Sequence, residues 1–381
     1  MANCIFHGRK DVTMSRIQSK KVVLLTVTDL SAPVTEGILK KMLGQKKAWE
    51  TLGFTAELIF RKGNAILNDD GQILRIMPAW GKRMQFFMFL LRYLVETKNS
   101  PDILYIRYPF STPAFVWFLK AVKARDGNLK IILEIPTMPY DQEFTGINRW
   151  KWLVDKHYRK KLTGMTYLAV VIGNPVPFPG IKTIHISNAI DIEADFSEIQ
   201  KADDAFHMIA VGLWRYWHGL DRLIAGLAAF RDQYPGKKAV LTIVGDGVES
   251  VRYRTMTEQY KLWEEVIFTG PKSEEEIMRL CQSAHLGIGV LGSHRKGLES
   301  HAPLKHRTYA AAGLPFVFST ADPDFADALF ALRIPSDESP IDVAELIAFC
   351  KNLTDTPAEI HAFAAENLTW EKQMKKVLDN L

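Results

Sequence analysis

The chain of 381 residues is 47% hydrophobic and 24% charged, a composition typical of globular proteins, and its length favours two domains over one. Its cysteines, Cys4, Cys281 and Cys350, are too few and too widely spaced for a disulfide framework or a zinc cluster, which indicates a reducing compartment such as the cytoplasm. No apolar run approaches the roughly 18 residues of a membrane-spanning helix. We expect residues 1–20, which lack the apolar core of a signal peptide, to form a loose N-terminal lead-in.

The net charge of +5 is unevenly distributed along the chain. Residues 1–190 contain 28 Lys and Arg against 14 Asp and Glu, whereas the remainder has 20 against 29. A basic half of this kind favours an anionic substrate, an anionic membrane surface or nucleic acid as its partner. Nucleic acid is the least favoured of the three, because no zinc finger, recognition helix or aromatic RNA-binding signature accompanies the charge.

The first half of the sequence predicts alternating strands and helices. Residues 21–29 are a short β-branched apolar run with a polar end, which is typical of a buried parallel strand. A helix at 38–53 and a strand at 56–60 complete a βαβ unit, whose ligands lie beyond the carboxyl ends of the strands. Glu36 and Gly37 are therefore predicted to line a cleft. The alternation continues with a short strand after a turn at 68–71, helices at 84–97 and 112–125, and strands at 103–109, 130–136 and 166–173.

Charged side chains are predicted near the ends of two of these strands. Arg107 and Glu134 interrupt otherwise apolar segments, so each belongs either to a structural ion pair or to the cleft. Tyr140 and Asp141 lie in the loop that follows the strand of Glu134 and are further cleft candidates.

Residues 147–165 predict a basic amphipathic helix. Trp150, Leu153, Val154 and Tyr158 are expected to face inward. The basic side chains expected to face outward are Lys151, Lys156, Arg159 and Lys160. Such a face is either simply solvated or in contact with an anionic membrane surface, here through residues 148–164.

The second half restarts the alternation after a polar, acidic segment without apolar periodicity. This segment, residues 192–206, indicates an interdomain linker. The predicted fold class is α/β, with two Rossmann-like parallel-sheet domains, residues 21–191 and 207–356, that face each other across a cleft. Residues 357–381 are predicted to form a C-terminal helical tail.

The helix that begins at Pro303 and ends before Gly313 has an unexpected charge distribution. Lys305, His306 and Arg307 lie in or beside its first turn, where the helix dipole disfavours cations. An anion bound to the free backbone N–H groups of that turn would remove the conflict. The pattern therefore indicates a phosphate-bearing ligand, with a solvated basic turn as the alternative.

Other candidate residues follow strands at the same predicted edge. The sequence IVGDG, which contains Gly245, predicts a tight glycine turn that a ligand can approach. His218 and Arg215 lie in a second strand-to-helix loop. Asp322 and Asp324 have the spacing of a metal–nucleotide site, but no other ligand accompanies them, so metal binding is disfavoured.

Taken in order, these motifs resemble the retaining sugar-nucleotide glycosyltransferases of family 4, which have the two-domain GT-B fold. Within that family, the chain looks most like bacterial enzymes of capsule and exopolysaccharide assembly. The resemblance covers nearly the whole chain after about residue 20. It rests on the segments TEGILKK, IILEIPTMPYDQE, ISNAID, WHGLDRLIAGL, IVGDG, FTGP and HRKGLESHAPLKHRTYAAAGLPFVF.

The resemblance implies a UDP- or GDP-sugar donor bound mainly by the second domain, with its diphosphate at the start of the Pro303 helix. The implied catalytic residues are Glu299, Lys305 and His218. The implied donor-binding residues are Arg215, Gly245, Phe268, Gly270, Arg295, Lys296, Ser300, Leu304, Arg307 and Thr308. The implied acceptor-binding residues are Glu36, Gly37, Arg107, Tyr140 and Asp141. Sugar transfer in this family requires neither a metal nor another cofactor.

The sequence departs from the family pattern at the donor site. Family members usually carry two glutamates eight positions apart, and these positions are Ser300 and Thr308 here, with Glu299 one residue early. The usual lysine before the helix glycine is His218, and the usual arginine is Leu213. Loss of a charged acceptor costs on the order of 1 to 3 kcal/mol per contact.

The leading hypothesis is a glycosyltransferase that extends a lipid-linked or polysaccharide acceptor at the cytoplasmic face of the cell membrane. Two alternatives remain: a catalytically silent GT-B protein that binds a partner, and a sugar-phosphate enzyme of the same fold, such as an epimerase or phosphorylase.

Overall fold

The computed structural model describes residues 20–32, 35–96, 100–136, 138, 149–173, 176–192, 196, 201–202 and 204–381. These residues form two α/β domains, each built on its own mainly parallel sheet. Each strand-to-helix alternation that the sequence predicts appears in the structure, so the predicted fold class is confirmed.

The first domain contains an eight-stranded sheet with the strand order β4-β3-β2-β1-β5-β6-β7-β8. Its strands are β1 (Lys21–Asp29), β2 (Thr55–Lys62), β3 (Ala65–Asn68), β4 (Ile73–Ile76), β5 (Ile103–Arg107), β6 (Lys130–Ile135), β7 (Leu168–Ile172) and β8 (Thr183–Ile186). All neighbours pair in parallel except β3, which is antiparallel to both β2 and β4. The sequence predicted β4 but not β3, so the antiparallel pairing at this edge of the sheet was not predicted.

Helices cover both faces of the first sheet. They are α1 (Glu36–Thr51), α2 (Lys82–Glu96), α3 (Pro113–Arg125) and α4 (Arg149–Arg159). Alternate residues of the central strands point to opposite faces, so the sheet has two apolar cores. Helices α2 and α3 pack into one core, which also includes Leu162 just after α4, and α1 packs into the other.

The predicted orientation of the basic helix, now α4, is only partly correct: Tyr158 packs against the apolar core and Lys151 and Lys156 are exposed, as predicted. Trp150 and Leu153, which we predicted to face inward, are exposed, whereas Arg159 is buried beside Asp155. The buried Asp155 carboxylate explains the reversal, because it accepts hydrogen bonds from the Tyr108 hydroxyl (2.7 Å) and a backbone N–H and so fixes the polar side of the helix inward.

The second domain contains a six-stranded parallel sheet with the order β11-β10-β9-β12-β13-β14. Its strands are β9 (Phe206–Val211), β10 (Ala239–Val244), β11 (Val266–Gly270), β12 (Leu286–Ile288), β13 (Phe316–Phe318) and β14 (Ala331–Arg333). Its helices are α5 (Leu220–Gln233), α6 (Ser250–Gln259), α7 (Glu274–Ser283), α8 (Leu304–Ala311), α9 (Val343–Asn352) and α10 (Pro357–Asn367). The helix predicted to begin at Pro303 is α8.

The last helix, α11 (Trp370–Leu378), returns to the first domain. Trp370, Met374 and Val377 are buried in the same apolar core as Met42 and Trp49 of α1. The C-terminal segment therefore contributes to both domains, since α10 packs against α8 in the second.

The carboxyl edges of the two sheets face each other. Lys40, near the start of α1, forms an ion pair with Glu274 at the start of α7. Both helices begin at the carboxyl ends of strands, so this contact joins the two edges where ligands bind in parallel sheets. Among the helices that the structure describes, none is long and apolar enough to cross a membrane.

Replacement of Gly226 tests the packing of the second domain. A Cβ on Gly226, inside α5, would lie 2.0 Å from the Ile341 carbonyl oxygen. Alanine normally stabilises a helix by up to about 1 kcal/mol relative to glycine, but we expect Gly226→Ala to destabilise the protein by about 1–3 kcal/mol because backbone has to move. Thermal unfolding measures the change.

The matched control is Gly37→Ala, at the start of α1, where an added Cβ meets nothing within 4 Å. We expect this variant to unfold at the wild-type temperature or slightly above it. Equal melting temperatures for the two variants would contradict the close α5 packing.

Candidate functional site

The candidate site lies at the carboxyl edge of the second sheet, where three glycines end neighbouring strands. The Gly212 N–H donates to Val244 O (3.0 Å), and the Gly245 N–H donates to Gly270 O (2.8 Å). Gly245 has a φ of +103°, and a Cβ there would lie 2.1 Å from the Gly212 carbonyl oxygen. Only glycine fits at position 245, so the strand ends form a smooth backbone floor.

Lys305, the second residue of α8, extends over this floor. Its Nζ lies 4.8 Å from the centroid of the Trp214 ring, and a Cβ on Gly212 would approach it to 3.1 Å. Nζ is buried, and among the described residues none accepts a hydrogen bond from it. Burial lowers the pKa of Lys305 to about 7. A buried amine with no acceptor is costly, and such groups mark functional sites.

Two further buried polar atoms near this edge have no hydrogen-bond partner within the described ranges. They are the Ser300 Oγ and the Trp214 Nε1. Ser300 precedes α8 and pairs as an isolated bridge with Ala321. Its hydroxyl therefore occupies a fixed position that can serve a polar ligand.

His218 ends a short 3₁₀ helix between β9 and α5. Its Nδ1 accepts a hydrogen bond from the Arg215 backbone N–H (2.9 Å), which places the proton of the neutral imidazole on Nε2. Burial, with the nearby charges of Lys305 and His301, lowers the pKa of His218 to about 2. At neutral pH the side chain can therefore donate a hydrogen bond from Nε2 but carries no charge.

Arg307, predicted to bind phosphate, is instead fully occupied within the protein. Its Nη2 donates to Asp322 Oδ1 (2.8 Å) and to Ser187 Oγ (2.8 Å), and its Nε donates to Asn188 O (3.1 Å). Nη1 also bonds to Asp322, and Nη2 to Asp324. Arg307 therefore has a structural role instead of the predicted phosphate contact, because all three guanidinium nitrogens have partners in the buried interior.

The same contacts give Asp322 and Asp324 a structural role as partners of Arg307. Although burial raises the pKa of Asp322, Arg307 and His306 outweigh this effect and hold it at about 2. Within the described residues there is no group of three or more His, Cys, Asp or Glu side chains that could hold a metal ion.

Arg295 and Lys296 lie on a 3₁₀ helix at Ser293–Lys296, before α8. Arg295 donates two hydrogen bonds to the Asp221 carboxylate (3.0 and 2.9 Å) and a third to Glu338 (2.9 Å). Arg295 is thus held by carboxylates rather than poised to close over an anion. The Lys296 ammonium lies 4.5 Å from the Trp217 ring centroid.

The remaining donor-side residues are either exposed or in contact with other groups of the protein. Glu299 and Leu304 are exposed, and the Thr308 hydroxyl donates to the Leu304 carbonyl oxygen of its own helix (3.2 Å). Phe268 on β11 packs beneath the Arg254 guanidinium at 4.3 Å from its centroid, which covers one face of the ring.

On the first domain, Glu36 and Gly37 are exposed at the start of α1, which follows β1. Arg107 forms an ion pair with the buried Glu134 (2.9 Å), so the structure favours the ion-pair alternative for both. Lys41, which sequence reasoning missed, also binds Glu134 (3.2 Å). The predicted acceptor residues Tyr140 and Asp141 lie outside the described residues.

Comparisons with known proteins agree with this architecture. Residues 191–329 match the family model described as Glycosyl transferases group 1. No curated protein sequence matches the chain significantly.

Solved structures resemble nearly the whole chain. Sucrose-phosphate synthase from Thermosynechococcus elongatus has a TM-score of 0.65 at 14% identity, covering 94% of this chain and 98% of that one. A glycosyltransferase from Rickettsia africae gives 0.62 at 14% identity, with coverages of 94% and 97%. HepE from Anabaena, solved with UDP, gives 0.59 at 15% identity, with coverages of 95% and 100%.

The fold is therefore GT-B, with two Rossmann-like domains facing across a cleft. The second domain contains a glycosyl transferases group 1 region, which spans the glycine floor, His218 and Lys305.

Replacement of Lys305 tests whether its burial reflects a ligand site. The ordinary lysine pKa is 10.5 and that of folded Lys305 is about 7, so the unfolded chain binds the extra proton between these values. The cost of burying the charged amine lowers the free energy of unfolding. This cost is fully present below pH 7 and disappears as the pH rises towards 10.5. We expect Lys305→Met to raise the free energy of unfolding at neutral pH by roughly 2–4 kcal/mol.

Urea unfolding at neutral and alkaline pH measures this difference, which we expect to shrink as the pH rises. Lys238→Met, at an exposed lysine of the same domain, is the control and should change little at either pH. If Lys305→Met destabilised the protein at neutral pH, Lys305 would be a structural residue.

Replacement of Arg307 tests its corrected role. Arg307→Met leaves the Asp322 carboxylate buried without its guanidinium partner, and we expect a loss of about 3–5 kcal/mol in the free energy of unfolding. The double variant Arg307→Met, Asp322→Asn should recover part of this loss. An unchanged urea midpoint for Arg307→Met would contradict the structural role and favour the original prediction that Arg307 binds phosphate.

Proposed function

We propose that the protein is a retaining glycosyltransferase that moves a sugar from a UDP- or GDP-sugar to a lipid-linked or polysaccharide acceptor in cell-surface glycan synthesis. The observation that carries the proposal is the buried Nζ of Lys305, which has no acceptor among the described residues and lies beside the glycine floor. The group 1 match and the UDP-bound HepE of similar fold support a nucleotide sugar as the ligand.

The donor diphosphate would lie at the start of α8. There the backbone N–H groups of the first turn and the Lys305 ammonium supply positive charge to phosphate. No acidic residue lies in that turn. His218, neutral at neutral pH, would donate a hydrogen bond from Nε2 to the sugar or the phosphate without adding charge.

In the transfer step, the bond between the anomeric carbon and the β-phosphate oxygen breaks, and its electron pair stays on the phosphate. The acceptor hydroxyl oxygen forms the new bond on the same face of the sugar and passes its proton to the leaving phosphate oxygen. Lys305 and the helix dipole stabilise the charge that develops on the leaving diphosphate. Metal independence is part of the proposal, since these groups take the role of a cation.

The residues at the positions expected to contact the sugar and the ribose are not the two glutamates that the family resemblance implies. Ser300 presents a buried hydroxyl, whereas the Thr308 hydroxyl bonds to its own helix, and Glu299 is exposed. With these residues we expect the donor sugar to bind more weakly than it would with the two glutamates. They also support the second candidate, a catalytically silent GT-B protein that binds a partner.

The acceptor would bind to the first domain near Glu36 and Gly37, which are exposed at the carboxyl edge opposite Lys305. The basic character of residues 1–190 suits an acceptor that carries phosphate or lies at an anionic surface. A peripheral location on the inner face of the cell membrane and a role in capsule-type polysaccharide synthesis complete the proposal.

Calorimetric titration with UDP- and GDP-sugars tests the donor site. Sugar nucleotides are diesters whose phosphate charge is constant near neutral pH, so any pH dependence comes from the protein. Because Lys305 loses its proton above pH 7, we expect the affinity for one donor to fall about tenfold between about pH 6.5 and about pH 8.5. Lys305→Met should bind roughly 10- to 100-fold more weakly and lose the pH dependence.

Lys238→Met serves again as the control and should bind like the wild type. A donor that binds is then tested for transfer, with the anomeric configuration of the product followed by NMR. Binding without transfer to any acceptor would favour the silent protein, and no binding of either donor would overturn the proposed donor site.

A further inference from the structure

One face of the first domain exposes a set of apolar side chains that includes three tryptophans. Trp80, just before α2, is 76% exposed, Trp117 on α3 is 42% exposed and Trp150 on α4 is 58% exposed. Further exposed apolar residues accompany them: Ile76, Met84, Met88 and Leu153. Single exposed apolar side chains are common, but a set of this size on one layer of helices indicates an interaction surface.

Except for Ile76 on β4 and Trp80 in the turn that follows, these residues lie on helices of the same layer of the fold. The buried sides of α2 and α3 pack into one apolar core, together with Tyr158 of α4 and Leu162 just after it. Helix α1 and the C-terminal helix α11 cover the other face of the sheet. Trp117 and Trp150 thus lie on the outer side of one three-helix layer, and Trp80 lies in the turn that leads into it.

The same layer is strongly basic. Among the residues of α2, α3 and α4, only Glu96 and Asp155 are acidic. Asp155 is buried, where it bonds to Tyr108 and Ser111. The exposed cations of the three helices are Arg83, Arg92, Lys120, Arg125, Arg149, Lys151 and Lys156.

The exposed apolar residues concentrate towards the cleft. Helices α2, α3 and α4 each begin at the carboxyl edge of the sheet, and Met84, Trp117 and Trp150 lie within the first two turns of their helices. The turn before α2, which carries Trp80, lies at the same edge, since the Met77 N–H donates to Asn64 O beyond β2 (2.8 Å). The surface therefore adjoins the acceptor side of the cleft.

We propose that this three-helix surface docks onto an anionic lipid bilayer. Tryptophan is favoured at the level of the lipid headgroups, and basic side chains are attracted to anionic lipids. Aliphatic side chains such as Met84, Met88 and Leu153 gain from an apolar phase, which neither a nucleic acid nor an acidic protein surface supplies. Docking would place the opening of the cleft at the membrane, where a lipid-linked acceptor presents its head group.

This inference builds on the acceptor side of the proposed function, but vesicle binding requires no sugar transfer, so the two can fail separately. The full chain is mixed with vesicles of phosphatidylcholine alone or with about a third phosphatidylglycerol, and the bound fraction is measured by sedimentation. We expect binding to the anionic vesicles only, and weaker binding at high salt.

Two variants locate the surface. Each basic side chain near an anionic membrane contributes roughly fivefold to binding, so Arg83→Gln, Lys120→Gln, Lys151→Gln together should weaken it about a hundredfold. Trp80→Ser, Trp117→Ser, Trp150→Ser should weaken it about tenfold or more. Each has a control elsewhere in the chain. Lys47→Gln, Lys238→Gln, Lys351→Gln matches the charge variant, and Trp263→Ser, 61% exposed in the second domain, controls for the loss of one exposed tryptophan.

We expect both controls to bind vesicles like the wild type, and the temperature of thermal unfolding to be unchanged in all variants as evidence of correct folding. The proposal is overturned if the wild type binds neutral and anionic vesicles equally or not at all, or if the charge variant binds like its control. It is likewise overturned if the protein binds nucleic acid through these residues while vesicles leave it in solution.

Discussion

One buried guanidinium group joins the two domains. Arg307 bonds on one side to Asp322 and Asp324 of the second domain and on the other to Ser187 and Asn188, which follow the last strand of the first. Burial of so many charges is costly, and it is compensated only when every hydrogen-bonding group is satisfied. The Asn188 side chain adds a further bond to Ala302 O (2.8 Å), so the start of α8 is fixed against the first domain.

Helical geometry separates three consecutive basic residues into three environments. Successive residues of a helix differ by about 100° in direction, so Lys305 points to the glycine floor, His306 into the core and Arg307 towards the domain boundary. Burial lowers the pKa of His306 to about 4 and that of Lys305 to about 7. The first turn of α8 therefore carries less free positive charge at neutral pH than its sequence indicates, which reduces the conflict with the helix dipole.

The fold was predictable because apolar runs of strand length alternate with helical segments, and buried parallel strands leave a strong signal. The site was predictable only in part. Lys305, His218 and Gly245 converge as expected because each follows a strand at the same edge. The partners that occupy Arg295 and Arg307 were not predictable, since Asp221 and Asp322 lie 74 and 15 residues away in sequence. The orientation of α4 also depends on distant partners of Asp155 that periodicity does not reveal.

The return of α11 to the first domain means that the chain crosses between the domains twice. The crossings lie side by side, since the Ile190 N–H donates to Leu368 O (3.1 Å) and Ile190 pairs with Thr369 as a short parallel bridge. A single connection would permit the domains to rotate relative to each other in any direction, but two adjacent connections form a hinge with one main axis. Any opening or closing of the cleft would therefore be mainly a rotation about an axis through these two connections.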